Sequence, residues 1–182
     1  MIIADTVRVF IIVAIGYGLF FSYNNYLTEF FYLEPGAHIV HLPSGVRLLL
    51  VMVTGAVGAC AVAVATFPYS YFLLFTENHA LAAVVSVTSG LIPLVTLLLL
   101  RPFLNLQKNF SNLTFQKLAL ISVTYAAINT ITQQLIIHAF GQTKALLNAM
   151  LVMFTGDILG IVIIFYIVRI MGKLLKIRQN IE

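Results

Sequence analysis

The sequence predicts an all-α, polytopic membrane bundle of about six segments, with five as the alternative count. Three observations carry that expectation. Of 182 residues, 61% are hydrophobic and only 9% are charged, and the mean hydropathy is +1.03; a soluble domain is roughly 45–50% apolar and about 25% charged. The apolar residues fall in uncharged stretches of about 20 residues, the length that crosses a hydrocarbon core of roughly 30 Å. Little chain is left between them, so 1–182 reads as one transmembrane domain embedded in a lipid bilayer, without room for a soluble catalytic unit. The composition excludes a soluble globular domain, a disordered chain and a nucleic-acid binder.

The first stretch is 9–27. Asp5 and Arg8 precede it and no A-x-A-like cleavage site follows, so it reads as a retained helix. The second, 48–75, has 28 uncharged residues and is too long for one ordinary span. It contains Gly55-Ala56-Val57-Gly58, where a helix can break if the freed backbone groups are buried in protein. Read as one tilted helix, it gives five spans. Read as a hairpin of 44–54 and 56–75, it gives six. The stretches 80–100, 118–140 and 145–168 follow, then a basic tail at 169–182.

Charge placement favours six, because Lys and Arg concentrate on the cytoplasmic side of a membrane protein. With six segments, Arg8, Arg101, Lys108, Lys117, Arg169, Lys173, Lys176 and Arg178 share one side. Lys144 takes the other, with Arg47 near its boundary. With five, Arg8 moves to the poor side. The expectation is a multi-pass protein of the cell inner membrane with both termini cytoplasmic. The net charge of +4 follows from this topology and needs no acidic partner. Cys60 is the single cysteine, so no intrachain disulfide forms.

Small residues let helix backbones approach closely in lipid. Gly156-x-x-x-Gly160 has that spacing, and it reads either as internal packing or as the seam of a homodimer. Asn109-Phe-Ser111 and Asn112-Leu-Thr114 match the glycosylation acceptor pattern, but they lie in a loop expected to be cytoplasmic. Tyr23, Tyr26, Phe30, Phe31, Tyr32, Tyr69, Tyr71, Phe72 and Phe75 cluster at segment ends as an aromatic belt would.

An ionisable group in the bilayer costs about 2.5–3.5 kcal/mol on insertion scales and is a functional candidate by default. Asp157 is the thirteenth of the 24 residues 145–168, near the midplane. It reads as a ligand, proton or ion contact, or as a buried anchor for helix packing. Asn129 and Gln133 are four apart and share a face of the fourth stretch, with Tyr125 one turn earlier. A hydrogen bond from Asn129 to Asp157 would lower the burial cost, so a polar pocket or interhelical bonding between the last two helices is expected. Arg47 reads by default as snorkelling outward to the interface; pairing with Glu29, Glu34 or Asp157 is the alternative. His38, His41, His79 and His138 lack companions at ligand spacing, so no metal and no cofactor are expected. No nucleophile motif or phosphate loop appears, and no catalytic residue is assigned.

Two motifs carry a family resemblance. His41-Leu42-Pro43-Ser44-Gly45-Val46-Arg47-Leu48 resembles the W-P-P-x-G-I-A-L signature of the bacterial membrane-associated sensor domain of the first type. Thr155-Gly156-Asp157-Ile158-Leu159-Gly160-Ile161-Val162 resembles its later W-x-G-D-x-L-G-V-L signature, and Ser89 to Pro102 resembles its helix ending in L-L-R. Order and approximate spacing agree over residues 36–170. His41, Leu42 and Arg47 depart from the family pattern, and the chain has no Trp. The resemblance implies a sensor of an unidentified signal, here without a kinase, cyclase or phosphodiesterase output pattern after Arg178, with Pro43, Gly45, Gly156, Asp157 and Gly160 at the family's positions.

The leading expectation is a non-catalytic membrane sensor or ligand-binding module acting through a protein partner in the membrane or at its cytoplasmic face. The alternatives are a small-solute transport component, similar to the substrate-binding subunits of energy-coupling-factor transporters, and an accessory subunit of a larger membrane complex. The pocket candidates are Asp157, Asn129, Gln133, Arg47, Pro43, Gly45, Gly156 and Gly160.

Overall fold

The structure is a computed structural model that describes residues 2–27, 32–34, 37–38, 40–107 and 110–179. Its six helices are α1 (Ile2–Leu27), α2 (Leu42–Thr54), α3 (Ala56–Tyr69), α4 (His79–Phe103), α5 (Phe115–Ala139) and α6 (Leu146–Gln179). A π-helical turn, Ser70–Leu74, extends α3. Strands β1 (Tyr32–Glu34) and β2 (Ala37–His38) form a short antiparallel hairpin between α1 and α2. The bundle is otherwise helical, and five of its helices are long and apolar enough to cross a membrane.

Helix directions follow from which residues meet. Gly18 faces Ala65 and Phe21 packs on Tyr69, so α1 and α3 run parallel. Tyr71 stacks on His79 while Gly90 faces Ala59, so α3 and α4 are antiparallel. Asn129 meets Asp157 and Gln134 meets Met153, which makes α5 and α6 antiparallel. His41 meets Gly156 and Gly45 meets Gly160, so α2 runs with α6. Thus α1, α3 and α5 point one way and α2, α4 and α6 the other. The start of α1, the Gly55 turn, the α4–α5 connection and the end of α6 share one end of the bundle. The α3–α4 and α5–α6 connections share the opposite end.

The 48–75 stretch is broken, not one tilted helix. Gly55 has φ +62°, a backbone geometry that side chains disfavour, and it reverses the chain between α2 and α3. Helix α2 has 13 residues and spans about 20 Å at 1.5 Å per residue, short of a bilayer crossing. It starts beside Gly156, which is about 15 Å along α6. The chain therefore enters to mid-bundle without helix and begins α2 there. Pro43 sits in the first turn of α2, where its missing N–H costs nothing.

Several helices outrun the uncharged stretches. Helix α1 begins at Ile2 and takes in Asp5 and Arg8; α6 continues past Val168 to Gln179. Charge ends the apolar stretch but not the helix, because Lys and Arg are good helix formers. Asn78 caps α4 by accepting from Leu81 N at 3.0 Å, and Thr114 caps α5.

Candidate functional site

A cavity of about 630 Å³ opens among the helices, in the half of the bundle away from the termini. All six helices contribute to its wall: α1 through Phe21, α2 through Arg47, α3 through Thr66 and Tyr69, α4 through Ser89, α5 through Gln133 and α6 through Met153. The π-turn adds Ser70. Proline at position 68 leaves one α-helical bond unmade just before the turn, and Phe75 N bonds to Ser70 O five residues back.

Arg47 is the cation of this wall. It is 3% exposed, and its Nε donates to the Tyr17 hydroxyl at 3.1 Å. Tyr125 and Asp157 lie close enough to interact with it electrostatically, but no salt bridge joins Arg47 to Asp157. The snorkelling expectation is therefore overturned: α2 starts at mid-bundle, so a residue one turn into it is far from the interface. Of the acids weighed as partners, Glu29 and the side chain of Glu34 lie outside the described residues.

Asp157 is fully buried. Its Oδ2 accepts from Asn129 Nδ2 at 2.7 Å, and its backbone carbonyl accepts from the Ser44 hydroxyl at 3.1 Å. Its Oδ1, Asn129 Oδ1, the Tyr125 hydroxyl and the Thr130 hydroxyl are buried without a hydrogen-bond partner among the described residues. Gln133 donates through Nε2 to Ser89 Oγ at 3.1 Å and to the Val85 carbonyl at 3.3 Å. A carbonyl only accepts, so the amide orientation is fixed, and Gln133 Oε1 is left without a partner.

Among the pocket candidates, Arg47 and Gln133 line the cavity. Asn129 and Asp157 bond directly to each other and lie outside the lining, so the space is shared by six helices and is not confined to the last two. Gly45 and Gly160 form a close backbone crossing: a Cβ at Gly45 would lie 2.6 Å from the Gly160 carbonyl oxygen, and one at Gly160 would overlap the His41 carbonyl. The Gly156 carbonyl accepts from His41 N at 3.1 Å, and Pro43 is buried at the start of α2. These four residues shape the α2–α6 contact, and internal packing explains the Gly156 and Gly160 spacing. Segments 41–48 and 155–162, distant in sequence, thus lie against each other.

Tyr17, Phe21, Ser44, Ser70 and Ser89 complete the site and are not among the pocket candidates that the sequence suggests. Tyr17 between two glycines in an apolar helix, and Ser44 after Pro43, were the available signals. Asn24 and Asn25, both 4% exposed at the end of α1, were another. Tyr23, Tyr26 and Phe72 are exposed as belt residues would be, whereas Phe75 is buried. His79 stacks on Tyr71 and His138 bonds to the Thr143 carbonyl. Among the described residues no group of three or more His, Cys, Asp or Glu is placed to hold a metal ion. The side chains of His38 and Tyr32, residues Phe30, Phe31, Lys108 and Asn109, and the side chains of Lys173, Lys176 and Arg178 lie outside the described residues.

The fold and the site define a polytopic membrane protein with an interior cavity whose mainly apolar wall carries a few polar side chains and one cation, Arg47. No family model matches the chain, nor does any curated protein or solved structure.

Proposed function

We propose that the protein is a non-catalytic membrane sensor module that binds a small molecule in the cavity and passes the signal to a protein partner through α6. The observation that carries this reading is the mounting of Arg47. The cation sits on α2, and α2 is tied to α6 by the bond of His41 N to the Gly156 carbonyl, the bond of Ser44 to the Asp157 carbonyl and the crossing of Gly45 with Gly160. A ligand that pulls on Arg47 therefore loads α6 directly. The likeness of 41–48 and 155–162 to the sensor-domain signatures supports the same reading, since those segments make this contact.

Orientation follows from charge. Arg8, Arg101, Lys117 and Arg169 belong to the end that holds the termini, and Lys144 to the other. We assign the basic end to the cytoplasmic side of the inner membrane, so the ligand enters from outside and the partner meets the basic end. A solute-binding transport component is the second reading. It is favoured by the broken segment, since helices that end at mid-membrane commonly face transported solutes. Liposomes bearing the purified protein separate the two. The sensor reading expects solutes from a mixed small-molecule library to be retained on the protein without accumulating in the lumen. Lumenal accumulation would replace it with the transport reading.

A further inference from the structure

We propose that the cavity takes a small organic monoanion, its carboxylate seated on Arg47 and its apolar body against the aromatic wall; this rests on the ligand-binding reading above. A buried guanidinium demands a counter-charge. Among the described residues Arg47 has none in contact: its Nε donates to the Tyr17 hydroxyl, the Tyr125 hydroxyl lies beside it, and the carboxylate of Asp157 is held by Asn129 and forms no salt bridge with it. The terminal nitrogens of a guanidinium form a fork that matches a carboxylate in a bidentate pair. Arg47 presents its side chain to a cavity, and a cavity of this volume lies in the range that holds small molecules.

A second, independent observation points to an occupant. Ser70, fully buried, and Gln133, 2% exposed, both line the cavity, and each keeps a side-chain oxygen without a partner among the described residues. They offer bonds to a polar substituent on the ligand body. The first turn of α2 also begins at the cavity, at His41, which adds the positive end of a helix dipole. The remaining wall is apolar and aromatic: Phe21 and Tyr69 meet edge to face at 5.2 Å, with Phe75, Ile137 and Met153 beside them. One buried guanidinium balances one negative charge and not two, and a second charge on the ligand would meet the Asp157 carboxyl as a like charge. A cationic ligand would meet Arg47 as a like charge.

Calorimetric titration of the full chain in phosphatidylcholine nanodiscs tests this. The probes are monocarboxylates from acetate to 3-phenylpropionate, each matched with the alcohol and the amine of the same skeleton. At least one acid should bind saturably, about tenfold or more tighter than its alcohol, the difference expected of a charge-assisted pair. Arg47→Gln should erase that preference and Arg47→Lys should keep part of it. The comparison of acid with alcohol on the wild-type chain carries the test if Arg47→Gln does not fold. Alcohols or amines binding as tightly as the acids would overturn the anion proposal and leave the ligand-binding reading standing. Loss of acid binding when phosphatidylglycerol replaces phosphatidylcholine would overturn it in favour of a lipid head group. No binding by any probe would overturn it, and would reach the ligand-binding reading as well if thiol reagents also failed to enter the cavity.

Discussion

Asn129 on α5 donates to the carboxylate of Asp157 on α6 at 2.7 Å, joining the two helices where both are fully buried. Each residue supplies what the other needs, and removing one leaves a buried polar group alone, at a cost of about 1–3 kcal/mol. Asp157→Ala should therefore lower the thermal midpoint of the detergent-solubilised protein clearly. Asp157→Asn, which still offers Asn129 an acceptor, should lose less. Equal midpoints for both variants and wild type would show that the bond holds nothing together.

The α2–α6 crossing should be equally intolerant. A methyl group at Gly45 would meet Gly160 O, Ile164 Cβ and Ile161 Cα, all within 2.9 Å. Two of these are backbone atoms, so relief requires the helices to separate, and overpacking of this kind costs about 1–3 kcal/mol. Gly45→Ala and Gly160→Ala should each destabilise, whereas Gly16→Ala, with nothing within 4 Å of its Cβ, should not. Thermal midpoints of the three variants in one detergent provide the comparison.

Gly55 tests the turn. Its φ of +62° penalises any side chain by about 1–2 kcal/mol, although space around it is open. Gly55→Ala should lower the midpoint in spite of that open space; an unchanged midpoint would argue for a continuous α2–α3 helix.

The helix directions place Ile3 and Gln107 at one end and Gln142 at the other. Single cysteines at these exposed positions, in a Cys60→Ser background, should react with a membrane-impermeant maleimide from opposite faces of oriented vesicles: Ile3 with Gln107, Gln142 alone. Ile3 reacting together with Gln142 would restore the five-span arrangement.

The long helices were legible because charge is so sparse that every uncharged run of bilayer length stands out. The break at Gly55 was legible from the excess length of the second stretch. The contact between Asn129 and Asp157 was legible because a mid-membrane acid needs a donor and α5 offered amides on one face. The depth of Arg47 was not legible, because closeness in sequence to the edge of an uncharged stretch suggests closeness to the interface. A chain that enters to mid-bundle before becoming helical breaks that equivalence. Ser70 and Ser89 escaped notice because single serines in apolar helices are common and often satisfied by their own backbone, as Ser86 is through the Ala82 carbonyl. Only the convergence of all six helices separates them from the rest.

Accessibility of Ser89 tests the cavity most directly. A lone cysteine at Ser89, in a Cys60→Ser background, should react with a small charged thiol reagent added at the Gln142 face. Cysteine at Val87, which is half exposed on the outside of the same helix, should stay unreactive in lipid. Labelling of Ser89→Cys from that face alone is the expected result. No labelling, or labelling only from the face of the termini, would contradict a cavity open opposite the basic end.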